Sequence, residues 1–326
     1  MAESTVRGYD IIGDVHGCAD RLEALLSKLG YETTGGTGEY HHPDRQVVFV
    51  GDLIDRGPEQ LRVLEVAKSM VDAGSAQIVM GNHEFNALGY HREHPAGSGE
   101  YLRTHSAKHT EQHEAFLAQV TGEDRRRYLE WFATMPLWLN LGGLRVVHAC
   151  WHQESMAAVE KHCGSSAPFA DVDHLAAAHD KAHELYDAIE ILLKGPEISL
   201  VEHGQPAYRD VGGHRRERAR MRWWDSGAVT LRDVAVMSSS FTTETGEPYP
   251  ALPELVLANG TQSCVYTDSV PVFYGHYWRQ GLPESGEDFT ERTACVDFSA
   301  VDGGAMTAYR WSGERTIRPE NYVQMR

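Results

Sequence analysis

The sequence predicts an α/β fold in which a second β-sheet packs on a first, largely parallel one. Three observations predict it. A strand, a polar loop and an amphipathic helix follow one another repeatedly between Tyr9 and Glu84, the pattern of neighbouring parallel strands. Each of these strands empties into residues able to hold a metal or an anion. The last third of the chain instead reads as antiparallel strands around a turn at Asp302-Gly303-Gly304. With 326 residues, 41% of them hydrophobic, the chain can bury a large core. No Pro/Ser-rich linker or internal repeat divides it, so a single domain over 1–326 is expected.

Tyr9-Asp10-Ile11-Ile12 is the first expected strand, running into Gly13-Asp14-Val15-His16-Gly17. Leu22, Leu25, Leu26 and Leu29 then recur at helical spacing. Val47-Val48-Phe49-Val50 reads as a short buried strand because β-branched and aromatic residues suit a packed pleat. It ends in Gly51-Asp52-Leu53-Ile54-Asp55-Arg56-Gly57, and an amphipathic helix is expected over Glu59 to Ala73. Ala76 to Met80 is a third strand, running into Gly81-Asn82-His83-Glu84.

Residues 85–138 lack strand signals and are expected to form a helical insertion. Within it His105, His109 and His113 lie at i, i+4, i+8, which reads as one solvated helix face. Leu144 to Ala149 is a fourth strand, and it carries His148. A second insertion spans 152–220, Ala- and His-rich at first; its His179 and His183 again read as a polar face. Val270 to His276 is a further strand, and Thr293 to Phe298 with Ala305 to Trp311 reads as a hairpin.

Composition narrows the function. Lys plus Arg is 30 and Asp plus Glu is 47, so the net charge is 30 − 47 = −17. Such a surface repels a nucleic-acid backbone or an anionic membrane, and duplex nucleic acid is not expected as the main partner. The cysteines Cys18, Cys150, Cys163, Cys264 and Cys295 are scattered and form no C-x-x-C pair, which suits a reducing compartment. There is no apolar run near the N-terminus and none of about 18 residues elsewhere. A soluble, cytoplasmic protein is expected.

Five strands thus end in Asp14/His16, Asp52, Asn82, His148 and His276. Buried carboxylates are costly unless something positive holds them. Two carboxylates, an amide oxygen and three imidazoles exceed what one tetrahedral zinc takes. They suit two divalent ions about 3.5 Å apart, an arrangement used to activate water against phosphorus. The mixed oxygen and nitrogen donors favour Mn, with Fe or Zn as alternatives, over Ca or Mg. Arg56 beside Asp55 points to an anionic ligand.

The blocks Gly13-Asp14-Val15-His16-Gly17, Gly51-Asp52-Leu53-Ile54-Asp55-Arg56-Gly57 and Gly81-Asn82-His83-Glu84 resemble those of the calcineurin-like metallophosphoesterases. More narrowly they resemble the phosphoprotein-phosphatase branch, which includes bacterial Ser/Thr phosphatases and diadenosine-tetraphosphate hydrolases. The resemblance implies two mixed sheets packed face to face, flanked by helices. It implies that Asp14, His16 and Asp52 hold one metal. Asp52 would bridge to a second metal, completed by Asn82, His148 and His276. His83 would protonate the leaving oxygen with Asp55 orienting its ring, and Arg56 would clamp phosphate. Attack by a hydroxide bridging the metals is the implied chemistry. Asn82 would also meet the substrate, as would Arg222, with Arg220 as the fallback for a second clamp.

The first expected activity is hydrolysis of phosphate monoesters in the manner of a Ser/Thr phosphatase, motivated by Asp55, His83 and Arg56. The alternative is a bis(5'-nucleosyl)-tetraphosphatase or other nucleotide pyrophosphohydrolase, motivated by Trp151, Trp223, Trp224 and Trp278. These could stack a nucleobase, although buried packing is the commoner use of tryptophan. The substrate would be a phosphoprotein, a nucleotide or another phosphorylated small molecule. A further alternative, an inactive metal-binding regulatory protein, is disfavoured because it would not need the full ligand set.

Overall fold

The computed structural model describes residues 6–33, 39–258 and 264–326. They divide into two compact units: one runs to Lys194 and resumes with Asp268–Arg326, and the other is Gly195–Thr267.

In the first unit Gly8–Ile12, Arg45–Phe49 and Ala76–Ile78 lie side by side and parallel, with Ile11 opposite Val48 and Phe49 opposite Ile78. The helices between them, Ala19–Lys28 and Gln60–Asp72, are the right length to cross back over the sheet. Their Leu22, Leu25, Leu26, Val63, Leu64 and Met70 are all buried. Met306–Trp311 adds antiparallel to Gly8–Ile12, and Tyr322–Met325 closes that edge.

A second sheet orders Thr293–Cys295, Val272–Tyr274, Arg145–Val147 and Trp138–Asn140, the first three parallel and the last antiparallel. Ile11, Val48, Val50 and Val79 from the first sheet share one core with Val146, Phe273, Ala294 and Val296 from the second. Two sheets packed face to face and flanked by helices is therefore what the sequence predicts. The parallel strands of both sheets run out at Asp14, Asp52, His148 and His276.

The expected hairpin does not form. Thr293–Cys295 and Met306–Trp311 belong to different sheets, and only Phe298 and Ala305 bridge the turn between them. The chain changes sheets here because the Asp297 carboxylate accepts the backbone N–H of both Ser299 and Trp278, which diverts it from a ladder.

The 85–138 insertion is helical as expected, in Asn82–His91, Ala107–Gln112, Glu114–Gln119 and Gly122–Phe132. The 152–220 insertion is helical only as far as Lys194, in Gln153–Cys163, Val172–His179 and Glu184–Lys194. Beyond it Glu197–Ser199 pairs antiparallel with Arg218–Arg220, and Tyr208–Arg209 with Arg215–Arg216. This second unit has its own core, in which Ala219 and Met221 pack with Ile198, Tyr208 and Leu231. The alternation of arginines with Ala219 and Met221 is a strand period, not a helical one. Among the described residues no helix is long and apolar enough to cross a membrane.

Candidate functional site

Three loops at the carboxyl edge of the first sheet are tied together through their backbones. Val15 and His16 donate their N–H groups to Asp52 O at 3.0 and 2.9 Å. The buried Glu84 carboxylate accepts the N–H groups of Asp52, Leu53 and Gly81 at 2.9, 2.8 and 3.1 Å, capping Asn82–His91 in the process. The Gln60 amide does the same for Asp55, accepting its N–H at 2.7 Å and donating to its carbonyl at 3.2 Å. These anchors hold a costly backbone, since His16, Asp52, Asp55, Arg56 and His276 all have φ between 45° and 70°. Two glycines give the carboxylates room. A Cβ on Gly81 would lie 2.2 Å from Asp52 Oδ1, and one on Gly275 would lie 2.1 Å from Asp14 Oδ1.

Asp52 sits at the centre. Its Oδ1 accepts the His83 N–H at 2.9 Å. Its Oδ2 faces His148 Nε2 at 3.5 Å, His16 Nε2 at 3.7 Å and His83 Nε2 at 3.9 Å. Potential ligand atoms gather in two groups, His16/Asp52/His83 and Asp52/His148/His276, each within 4.8 Å and joined by Asp52. Asp14 stands beside them, its carboxylate accepting the His276 N–H at 3.2–3.3 Å.

The donors fit divalent cations. His16 gives its Nδ1 proton to Ile54 O at 2.8 Å, so its buried Nε2, which has no hydrogen-bond partner among the described residues, presents a lone pair toward Asp52. His148 likewise gives its Nδ1 proton to Val50 O at 2.8 Å, which leaves Nε2 facing Asn82 Oδ1 at 3.1 Å. A lone pair aimed at a carboxylate oxygen, as at His16, repels unless positive charge lies between them. The electrostatics show the same demand. Burial, then the neighbouring Asp297, pushes Asp14 well above the usual carboxylate range. Burial pulls His16 down to about 3. Burial would lower His148 too, but Asp52 outweighs it and raises the imidazole to about 10. Divalent cations held between these groups would offset each of these costs.

Beside it stands a hydrogen-bonded pair. His83 Nδ1 donates to Asp55 Oδ2 at 2.6 Å. Burial pulls His83 down, but Asp52 and Asp55 outweigh it and hold the ring above its ordinary value. Arg56 is exposed, and its guanidinium lies 3.8 Å over the Trp278 ring.

Asp14, His16, Asp52, Asn82, His83, His148 and His276 are thus brought together, with Asp55 and Arg56 alongside. Arg220 and Arg222 belong to the second unit. Of the four tryptophans considered as nucleobase platforms, Trp151, Trp223 and Trp224 are buried and Trp278 is half-exposed.

The expected solvated histidine face is overturned. His105 is exposed, but His113 is buried at 4% and donates its Nδ1 proton to Asp55 Oδ1 at 2.7 Å. The i, i+4, i+8 argument assumes one helix, whereas the helix breaks at His113 and turns that ring inward. His179 is likewise half-buried and stacks on Phe85 at 4.3 Å, because its helix packs against Asn82–His91. Glu84 and Gln60 carry no role in the sequence reading. Glu84 has a local signal, its capping position three residues after Gly81; Gln60 has none.

Residues 9–236, more than half of the chain, match the calcineurin-like phosphoesterase family. The chain is 37% identical over 143 residues to a bis(5'-nucleosyl)-tetraphosphatase PrpE [asymmetrical] of Bacillus velezensis, covering 43% of this chain and 55% of that protein. The protein of that name from Bacillus subtilis is 34% identical over 147 residues, 43% of this chain and 57% of the relative. The chain thus spans about half the length of these curated relatives. The fold is similar to that of a Saccharomyces cerevisiae serine/threonine phosphatase, with a TM-score of 0.51 at 12% identity, covering 99% of this chain and 80% of the yeast one. With the family's pattern carried from Tyr9 onward and its ligand types converging on one shared aspartate, the chain belongs to the calcineurin-like phosphoesterases, metal-dependent hydrolases of phosphoesters.

Proposed function

We propose that this enzyme hydrolyses dinucleoside tetraphosphates asymmetrically, with Asp14, His16, Asp52, Asn82, His148 and His276 as ligands of two divalent ions, Mn first and Fe or Zn as alternatives. The observation that carries the reading is the pair of ligand groups joined at Asp52, in a chain whose relatives bear the tetraphosphatase name. It replaces the phosphomonoesterase reading as first choice, and a cytoplasmic setting goes with it. The tryptophan argument for a nucleotide weakens to Trp278, since the other three are buried.

When bound, the metals would lower the pKa of an attacking water and offset phosphate charge. The chain's residues supply the rest. Arg56, steadied over Trp278, presents its planar fork to a phosphate oxygen. Asn82 has its amide nitrogen available to the same group when its oxygen faces a metal. His83 gives a proton to the leaving oxygen as the P–O bond breaks, and Asp55 keeps that ring charged and oriented.

Metal-free protein reloaded with Mn, Fe, Zn or Mg should cleave diadenosine tetraphosphate to ATP and AMP faster than a phosphopeptide or p-nitrophenyl phosphate. Preference for the phosphopeptide would restore the monoesterase reading, and no turnover on any substrate with metals bound would sink both. His83→Ala should lower kcat on poor leaving groups by ~10²–10⁴-fold while metal content stays unchanged. Loss of metal would instead make His83 a ligand, in line with its place beside His16 and Asp52.

A further inference from the structure

Asp55 is gripped at both oxygens. His83 Nδ1 donates to Oδ2 at 2.6 Å and His113 Nδ1 donates to Oδ1 at 2.7 Å, from a position 58 residues further along the chain. A carboxylate held by one hydrogen bond swings about its broad terminal torsion; a bond at the second oxygen fixes its plane. Burial works against the ionised Asp55, but the hydrogen bonds from His113 and His83 outweigh it and hold the carboxyl at about 2.

His113 is itself firmly placed. It sits between Ala107–Gln112 and Glu114–Gln119, stacks on Phe116 at 4.7 Å, and lies 5.3 Å from Tyr90. Its Nε2 is buried and meets no hydrogen-bond partner among the described residues. A residue present only to fill this space would avoid that unsatisfied nitrogen, which costs on the order of 1–3 kcal/mol. The bond to Asp55 is what the imidazole offers that an apolar ring does not.

We propose that His113 is a positioning residue for the reaction: through Asp55 it sets the orientation of the His83 ring, and so couples the helical insertion to proton delivery. The inference rests on the reading of His83 as the proton donor.

The metal-loaded enzyme tests it. His113→Phe keeps the stacking but removes the donor, and His113→Asn returns an N–H near the Nδ1 position, whereas His113→Gln places it too far out. With a poor leaving group, His113→Phe should lower kcat by ~10–100-fold with KM and metal content little changed. p-Nitrophenyl phosphate, whose leaving group needs no proton, should be nearly unaffected. His113→Asn should recover most of the loss and His113→Gln little of it.

Equal losses on both substrates, or Asn no better than Gln, would overturn the proposal as a purely structural effect. If His113→Phe does not fold, the Asn and Gln variants decide alone. His83→Ala, assayed in parallel, separates the two readings. If it lacks leaving-group selectivity, the proton-donor role fails and the proposal falls with it. If it shows that selectivity and His113→Phe does not, only the positioning role fails.

Discussion

Asp52→Asn is expected to remove metal from both positions at once. Asp52 alone belongs to both ligand groups, and its Oδ2 faces three imidazoles within 3.9 Å. The amide keeps the volume and can still accept the His83 N–H through Oδ1, so the loops should stay folded. What is lost is the negative charge. Burial pushes the Asp52 carboxyl up, yet His148 and His83 overcome it and hold it well below the usual range, so it is ionised at neutral pH. Elemental analysis should therefore find far less metal after dialysis, and kcat/KM should fall by at least ~10³-fold, the scale of losing metal assistance to water and leaving group. Asn82→Ala, which touches one group only, should leave the other metal in place. Full metal content in Asp52→Asn would end the shared-ligand assignment.

The second large effect lies on the neighbouring strand, Gly8–Ile12, and concerns stability. Asp10 is fully buried and neutralises two guanidiniums: Arg45 Nε at 2.9 Å and Arg310 Nε at 3.0 Å. Tyr31 OH adds a hydrogen bond at 3.0 Å. Arg45 also donates to the carbonyls of Tyr9 and Trp311, so it joins the strands on either side of Gly8–Ile12. Asp10→Ala leaves the nearly buried Arg45 guanidinium without its counter-charge, which costs about 3–5 kcal/mol. At roughly 2–4 °C per kcal/mol for a unit of this size, Tm should fall by about 10 °C. Metal content and turnover of the folded fraction should persist, since Asp14 and the loops beyond it are anchored separately through Asp52 and Glu84. A loss below about 1 kcal/mol would mean that Asp10 is replaceable by packing alone.

The sequence is most informative where chemistry and backbone are both local. A buried strand followed by Gly13-Asp14-Val15-His16-Gly17, or by Gly51-Asp52, specifies a turn and its ligand types within a few residues, and Asp14, His16 and Asp52 do converge. Parallel strand order follows from the intervening helices, which fixes the shared edge for those loops. Asn82 and His148 are equally legible, each following a strand of the same kind.

What the sequence does not carry is the identity of partners far along the chain. His113 has the pattern of a solvated helix face, and only the break after Gln112 turns its ring to Asp55. Trp278 is one of four candidate tryptophans until the fold places it under Arg56. The Asp302-Gly303-Gly304 turn suggests a hairpin, but the backbone N–H bonds to Asp297 send its two arms to different sheets.

The sequence by itself determined the α/β order, the ligand types and their convergence at one edge, because torsions and donor chemistry are properties of short segments. Tertiary structure decided which nitrogen of each histidine faces Asp52, what holds Asp55, and which tryptophan meets Arg56. Those are matters of packing between segments tens to hundreds of residues apart, where the contact is fixed by the whole core and not by the residues that make it.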